Sequence, residues 1–418
     1  MSKMSTFCTS ALIAILAAIA CATGAVAKDG YRVLYFFQGG DDGYTATPGL
    51  VIGKNGYLYG TTSQGGGSGC FGGGCGTVYQ LSPSGEETIL HRFTGIPDGF
   101  YPGAGLIADG AGNFYGTTEF GGQSGCQSNL GCGTLFKLAP DQTESVLFAF
   151  QYQGNPDSGL AGDKHGNLFG VISKAYGAVG CGGIGCGAVF ELLHGAKYKV
   201  LHDFTGENDA ATPEGNLVAN SDGNFFGTSY EGGSGTNCSS EFGGCGTVYK
   251  MTPDGTVTIL HNFQGGKDGA HPYGPVVFDG AGNLYGTTEY GGSGKDCGYG
   301  CGTVFKISQS GKETVLYAFK NPKDGYAPRW SPVLDDAGNL YGTTLLGGSS
   351  CADTGCGTVF RLSPDGAKTT LHIIHDASSE GFAPVGLVRD KKGNLFGTLL
   401  GGGPHQTYGG VFEIKAQN

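Results

Sequence analysis

Tryptophan occurs once in the 418 residues, at position 330, and methionine three times. Charged residues make up only 14% of the chain, against roughly a quarter in ordinary globular domains. Acids outnumber bases 35 to 24, for a formal net charge of −11. That balance excludes the basic footprint that nucleic-acid binding requires. No apolar run past residue 20 is long enough to span a bilayer, so no transmembrane segment is expected. Three catalytic signatures are missing: a Gly-x-Ser-x-Gly elbow, a phosphate loop and a zinc-binding His pair. Helical periodicity of apolar residues is absent beyond residue 27, which excludes a helix bundle.

Glycine, by contrast, is abundant, at 84 residues, about three times its usual share. It is not scattered. One phrase recurs seven times, as GYLYGTT, GNFYGTT, GNLFGVI, GNFFGTS, GNLYGTT, GNLYGTT and GNLFGTL. The shared glycines are Gly60, Gly116, Gly170, Gly227, Gly286, Gly342 and Gly397, spaced by 56, 54, 57, 59, 56 and 55 residues. So regular a period marks a repeat architecture rather than a disordered tract.

The N-terminus reads as an export signal. Lys3 precedes the apolar run Ala11 to Ala20, and Ala25-Val26-Ala27 is a small-x-small cleavage site. A lipid anchor at Cys21 is the minor alternative. The expected organisation is a cleaved leader, 1–27, and one domain, 28–418. The localisation is then secreted, either periplasmic or extracellular. Twelve of the fourteen cysteines lie past the leader as six local pairs: Cys70/Cys75, Cys126/Cys132, Cys181/Cys186, Cys238/Cys245, Cys297/Cys301 and Cys351/Cys356. Export makes disulfides the default reading. Zinc is disfavoured by the varied spacing and by the lack of a partnering His or second pair.

Each repeat divides into four short strands separated by Gly- and Asp-rich turns. Four antiparallel strands per repeat form the blade of a β-propeller. The last repeat stops after its third strand, Gly410 to Ile414. Arg32 to Phe37 matches the missing fourth strand, as a comparison with Thr314 to Phe319 shows. The expected fold is all-β, a seven-bladed propeller whose N-terminal strand completes the last blade and protects its edge.

The motif GNLYGTT followed by GCGTVFRL, here Gly338–Thr344 and Gly355–Leu362, resembles the bacterial tandem GloVer repeats. The resemblance covers essentially all of 28–418. It implies an exported or surface-displayed, propeller-like protein. Family members often carry a C-terminal surface anchor. This chain stops at Asn418 without a sorting motif, so covalent attachment is not expected.

Seven inter-blade segments carry an acid: Asp42, Asp98, Asp157, Asp209, Asp268, Asp324 and Glu380. One reading is an acidic ring at the channel mouth, with Asp42, Asp98, Asp268 and Asp324 as Ca²⁺ ligands. The other is turn chemistry, and no further cofactor is expected. His91, His202, His261 and His372 share a strand position with Tyr35, Phe148 and Tyr317, which points to packing. Aromatics follow the acids, and Tyr44, Tyr101, Tyr273, Tyr326 and Trp330 are candidate ligand-stacking residues. Departures from the repeat matter most, because an active site must break sevenfold symmetry. These are Arg329-Trp330, Val171-Ile172 with Lys174 and Tyr176, Glu214 with Asn216, and His405. Arg329 and Trp330 are the leading binding candidates.

The functional expectation is a non-enzymatic, monomeric binder presenting a disulfide-stapled loop face to a glycan, a peptide or a cell-surface partner. The alternatives are a carbohydrate-active hydrolase or lyase at the channel mouth, and a structural envelope protein. Convergence of Arg329, Trp330 and neighbouring acids in one pocket would favour the enzyme.

Overall fold

A computed structural model describes residues 30–123, 130–151, 154, 156–174, 181, 185–194, 197–206, 208–238, 243–294, 296–348, 351, 355–404 and 408–416. The leader expected at 1–27, with Cys21, lies outside these residues, as do Cys126, Tyr176 and His405.

The repeat folds as an antiparallel four-stranded sheet, seven times over, and in blade 1 an extra strand, Gly43–Ala46, also pairs with the second strand. In blade 5 the strands are Val277–Phe278, Leu284–Thr288, Thr303–Ile307 and Glu313–Ala318, paired in that order. Blade 7 is assembled from Phe382–Arg389, Leu395–Gly401, Gly410–Ile414 and the N-terminal strand Tyr31–Phe36, with Val33 opposite Phe412. Blade 7 in turn packs on blade 1, bringing Leu34, Tyr35, Phe396 and Val411 against Leu50, Tyr79 and Leu81. Among the described residues, helix is confined to three-residue 3-10 turns, and no helix is long and apolar enough to cross a membrane.

The recurrent phrase has a physical reason at each position. The Asn donates to an Asp four residues earlier: Asn283 Nδ2 lies 2.7 Å from Asp279 Oδ2, and Asp279 Oδ1 accepts from the Ala281 and Asn283 amides. This closes the turn into the second strand. The Gly lies under a cross-strand ring. A Cβ at Gly342 would stand 2.5 Å from Cζ of Phe360, so only glycine fits. The first Thr reaches the next blade, as when Thr117 Oγ1 donates to Ser158 O at 2.8 Å and Thr287 Oγ1 to Trp330 O at 3.2 Å. The second Thr pairs within its own blade, as Thr344 does with Thr358 at 2.8 Å.

Between blades, the Phe that ends each outer strand meets an aromatic ring of the next blade edge-on. The pairs are Phe37/Tyr79, Phe93/Phe136, Phe150/Phe190, Phe204/Tyr249, Phe263/Phe305 and Phe319/Phe360, with centroids 5.0 to 5.3 Å apart. Burial of one such ring contributes roughly 1.5–3 kcal/mol. At the interface of blades 6 and 7, Ile374 replaces the Phe.

Disulfides join Cys70 to Cys75, Cys181 to Cys186, Cys238 to Cys245, Cys297 to Cys301 and Cys351 to Cys356. Each staples the Gly-rich loop between second and third strands. The expected Cys126–Cys132 bridge differs from these five in that its first half, Cys126, lies outside the described residues. Its second half, Cys132, is fully buried against Phe150 and Leu160 and is itself disulfide-bonded.

Candidate functional site

The seven segments that lead into the first strands surround a cavity of about 140 Å³ on the ring axis, with every blade contributing to its wall. The segments approach closely. A Cβ at Gly105 would lie 2.1 Å from Gly49 O, so this wall requires glycine.

The segments are held in place by the disulfide loops. In five of them the backbone N–H of one residue donates to the carbonyl of the second cysteine of the preceding blade, while in blade 1 Thr45 N donates to Tyr408 O. The pairs are Tyr101 with Cys75, Thr212 with Cys186, His271 with Cys245, Ala327 with Cys301, and Ala383 with Cys356. All five donors have positive φ, from 49 to 58°. Non-glycine residues in this region cost about 1–3 kcal/mol each and persist where their surroundings over-determine them. Here the next strand supplies the second clamp: Glu119 N donates to Tyr101 O and Glu289 N to His271 O. A proline follows all five donors, and after it comes the residue that starts the approach to the axis.

That axial position reads Thr47, Gly103, Asp157, Glu214, Tyr273, Arg329 and Val385 around the ring. Four consecutive blades therefore supply two acids, a phenol and a guanidinium, while the others supply small or apolar groups. The symmetry breaks on one side.

Asp157 Oδ2 accepts from Ser173 Oγ at 2.5 Å, while Asp157 Oδ1 is buried with no hydrogen-bond partner. Burial raises the Asp157 carboxyl above the usual range, against the Ser173 hydrogen bond and the Lys174 charge. Glu214 is pushed up to about 8, by burial first and then by Asp157, with Arg329 and Lys174 opposing. Glu119 is raised to about 7 by burial and Asp157. Burial and the Asp157 charge both favour the protonated form of Glu214.

Arg329 extends away from the two acids. Its Nε and Nη2 lie 3.1 and 3.2 Å from the two oxygens of Glu289, and its Cζ sits 4.6 Å from the Tyr273 ring centre. Burial works against the guanidinium charge, but Glu289 more than compensates and holds it ionised. Trp330 meets Tyr273 edge-on at 5.0 Å and lines the cavity. Its Nε1 is a buried donor without a partner. Asn216 also lines the cavity, with Oδ1 taken by the Gly159 amide at 2.7 Å.

Of the residues singled out from sequence, Tyr273, Glu214, Asn216 and Trp330 meet at this cavity, with Arg329 braced behind them. The other aromatics do not line it. Tyr44 packs on Tyr408, Tyr101 packs among Phe100 and Phe120, and Tyr326 is held in a backbone bridge with Leu346. Two disulfide loops expose aromatics that the sequence reading passed over: Phe71, 77% exposed, and Tyr299, 72% exposed.

The inter-blade acids stand beside the outer strands rather than around the axis. Asp42 accepts from Tyr35, Asp98 from His91, Asp209 from His202, Asp268 from His261 and Asp324 from Tyr317. Each also caps an amide four residues earlier, as when Asp268 accepts from Gln264 N at 2.6 Å. Asp157 does not belong with them. Counting seven residues from Phe148 reaches Asn155, outside the described residues, and Asp157 lies two further on, at the axis. Aligning the repeats on Pro102, Pro156, Pro213, Pro272 and Pro328 would have revealed this.

No functionally curated protein matches the sequence. Among solved structures, a virginiamycin B lyase from Staphylococcus aureus superposes with a TM-score of 0.59 at 13% identity, over 93% of this chain and 100% of that one. A streptogramin B lyase gives 0.56 at 12%, over 92% and 97%. The extracellular domain of a putative one-component system from B. thetaiotaomicron gives 0.54 at 11%, over 93% of this chain and 40% of that one. At such identities the likeness shows the fold alone. The sequence itself matches the Gloeobacter/Verrucomicrobia repeat over residues 73–240 and again over 234–418. With half of the chain and more accounted for in this way, it belongs to the Gloeobacter/Verrucomicrobia repeat family.

Proposed function

We propose that this is an exported propeller that binds a sugar unit of a glycan in its axial cavity. One observation carries the reading. Two buried polar atoms of opposite kind, the acceptor Asp157 Oδ1 and the donor Trp330 Nε1, belong to cavity-lining residues and lack partners. Leaving such groups unsatisfied costs about 1–3 kcal/mol each. A hydroxyl both donates and accepts, so a polyhydroxyl ligand is the class that pairs with both groups once the two side chains turn toward the cavity. Trp330 and Tyr273 add apolar ring surface for the sugar's C–H face. The disulfides agree with an oxidising compartment.

A second reading adds catalysis. Glu214 retains its proton to about pH 8 beside Asp157, which suits it to general-acid work in a hydrolase or lyase. That acids and Trp330 converge, with Arg329 behind them, favours this reading over a purely structural role.

The test is a glycan array followed by calorimetry on the best ligand. Asp157→Asn and Trp330→Phe should each weaken binding at least tenfold. Wild-type affinity in both variants would remove the axial cavity as the site. Incubation of the bound glycan then decides catalysis: cleavage that is lost in Glu214→Gln supports the second reading, and an intact glycan rejects it.

A further inference from the structure

At each blade interface, one outer-strand residue faces the outer strand of the next blade, and the chain fills the contact differently from interface to interface. Phe148 stacks on Tyr198 at 4.5 Å, and His372 on Tyr31 at 3.8 Å. At the next variation the chain supplies its own cation. Lys368 Nζ sits 2.9 Å from Asp324 Oδ1 and 5.8 Å from the Tyr317 ring centre.

Two further interfaces each gather a histidine and two acids. His91, Asp98 and Glu144 converge between blades 1 and 2, and His261, Asp268 and Glu313 between blades 4 and 5. In each trio one ligand atom per residue lies within 4.8 Å of the others. His91 Nε2 is 3.3 Å from Asp98, and His261 Nε2 is 3.2 Å from Asp268. In both places the glutamate Oε1 is buried with no hydrogen-bond partner. His91, Asp98 and Glu144 line one cleft together with Thr94 and Gln123, which leaves room for an exogenous ligand.

We propose that these two clefts each bind a divalent transition metal of the zinc class, through the His Nε2 and the two carboxylates. One imidazole with two carboxylates and an open fourth position matches zinc's preferred donors and tetrahedral coordination. It is a poor cage for calcium, which takes six to eight oxygens. Lys368 at the homologous interface shows that a positive charge is accommodated at this position. Asp42 and Asp324, read from sequence as calcium ligands, face Tyr35 and Tyr317 instead of His, and Asp324 is already paired with Lys368. These two acids are therefore excluded from the zinc assignment. A bound metal would tie neighbouring blades together and raise the melting temperature.

The test is calorimetric titration of the untagged, chelator-treated protein, disulfides intact, with zinc chloride. Two equivalents should bind. His91→Tyr should remove one and His91→Tyr/His261→Tyr both, whereas Tyr35→Phe should remove neither. Tyrosine is the residue the ring itself uses at this position in two blades, so these variants retain the packing, and an unchanged circular dichroism spectrum checks that. Absence of zinc binding, or two equivalents persisting in the double variant, would overturn the proposal. So would displacement of the zinc by equimolar calcium.

Discussion

Arg329 grips Glu289 across the interface of blades 5 and 6 with two parallel hydrogen bonds of 3.1 and 3.2 Å. The Glu289 side chain is only 4% exposed. One interface further on, the same two positions hold Leu345 and Val385. The ring thus uses an apolar pair and a charged pair for one packing task, and places the charged pair next to the cavity. Arg329 in turn lies over Tyr273, which touches Trp330. The chain of contacts from Glu289 to Trp330 fixes one wall of the site.

Removing Arg329 alone should be costly. Arg329→Val leaves Glu289 buried and unpaired and should destabilise by about 3–5 kcal/mol. The double variant Arg329→Val/Glu289→Leu copies the neighbouring interface and should recover most of that loss. Chemical denaturation of the three proteins measures the coupling directly.

Glu214 makes stability depend on pH. Its carboxyl titrates near 8 in the fold, against about 4.3 in an unfolded chain. The folded state therefore binds more protons between these values, and stability is lost as pH rises through the folded pKa. The melting temperature of the wild type, taken relative to Glu214→Gln, should fall between pH 5 and pH 9. A flat difference would place Glu214 in solvent.

The disulfide loops should act on the site more than on the fold. Closing so short a loop stabilises by about 2 kcal/mol in the chain-entropy treatment. Cys301 O, however, accepts from Ala327 N, two residues before Arg329. Cys297→Ser/Cys301→Ser should lower stability by about that amount and also shift Trp330 emission. The equivalent pair Cys70→Ser/Cys75→Ser, on the far side of the ring, should leave the emission unchanged.

Gly342 tests why the repeat phrase keeps its glycine. Gly342→Ala brings a Cβ to 2.5 Å from the Phe360 ring and should cost about 1–3 kcal/mol by overpacking. Combining it with Phe360→Leu should make the alanine less costly than it is beside Phe360, as a double-mutant cycle would show.

Periodicity made the fold legible, since the glycine under an aromatic ring recurs in all seven repeats, and the Thr–Thr pair and the Asp–Asn turn in most of them. The permuted last blade was legible because Arg32 to Phe37 copies an outer strand. The site was only half legible. Glu214, Asn216 and Trp330 stood out as departures from the repeat, and the fold brings them to one cavity. Asp157 did not, because an acid there looked like one more inter-blade Asp. The depth that raises its carboxyl comes from seven segments meeting on an axis, which no single repeat encodes. The histidines were read as packing groups, and they do pack. The joining of His91 and His261 to an acid seven residues on and to a glutamate of the next blade is set by blade-to-blade register, which spacing alone does not give.

The most direct test of the axial site is the emission of Trp330, whose uniqueness makes it a probe of this cavity alone. Titration with the glycan selected by array should give a saturable spectral shift in the wild type. The shift should weaken at least tenfold in Asp157→Asn. A glycan that binds by calorimetry yet leaves Trp330 emission unchanged, with full affinity in Asp157→Asn, would place the ligand elsewhere and contradict the account.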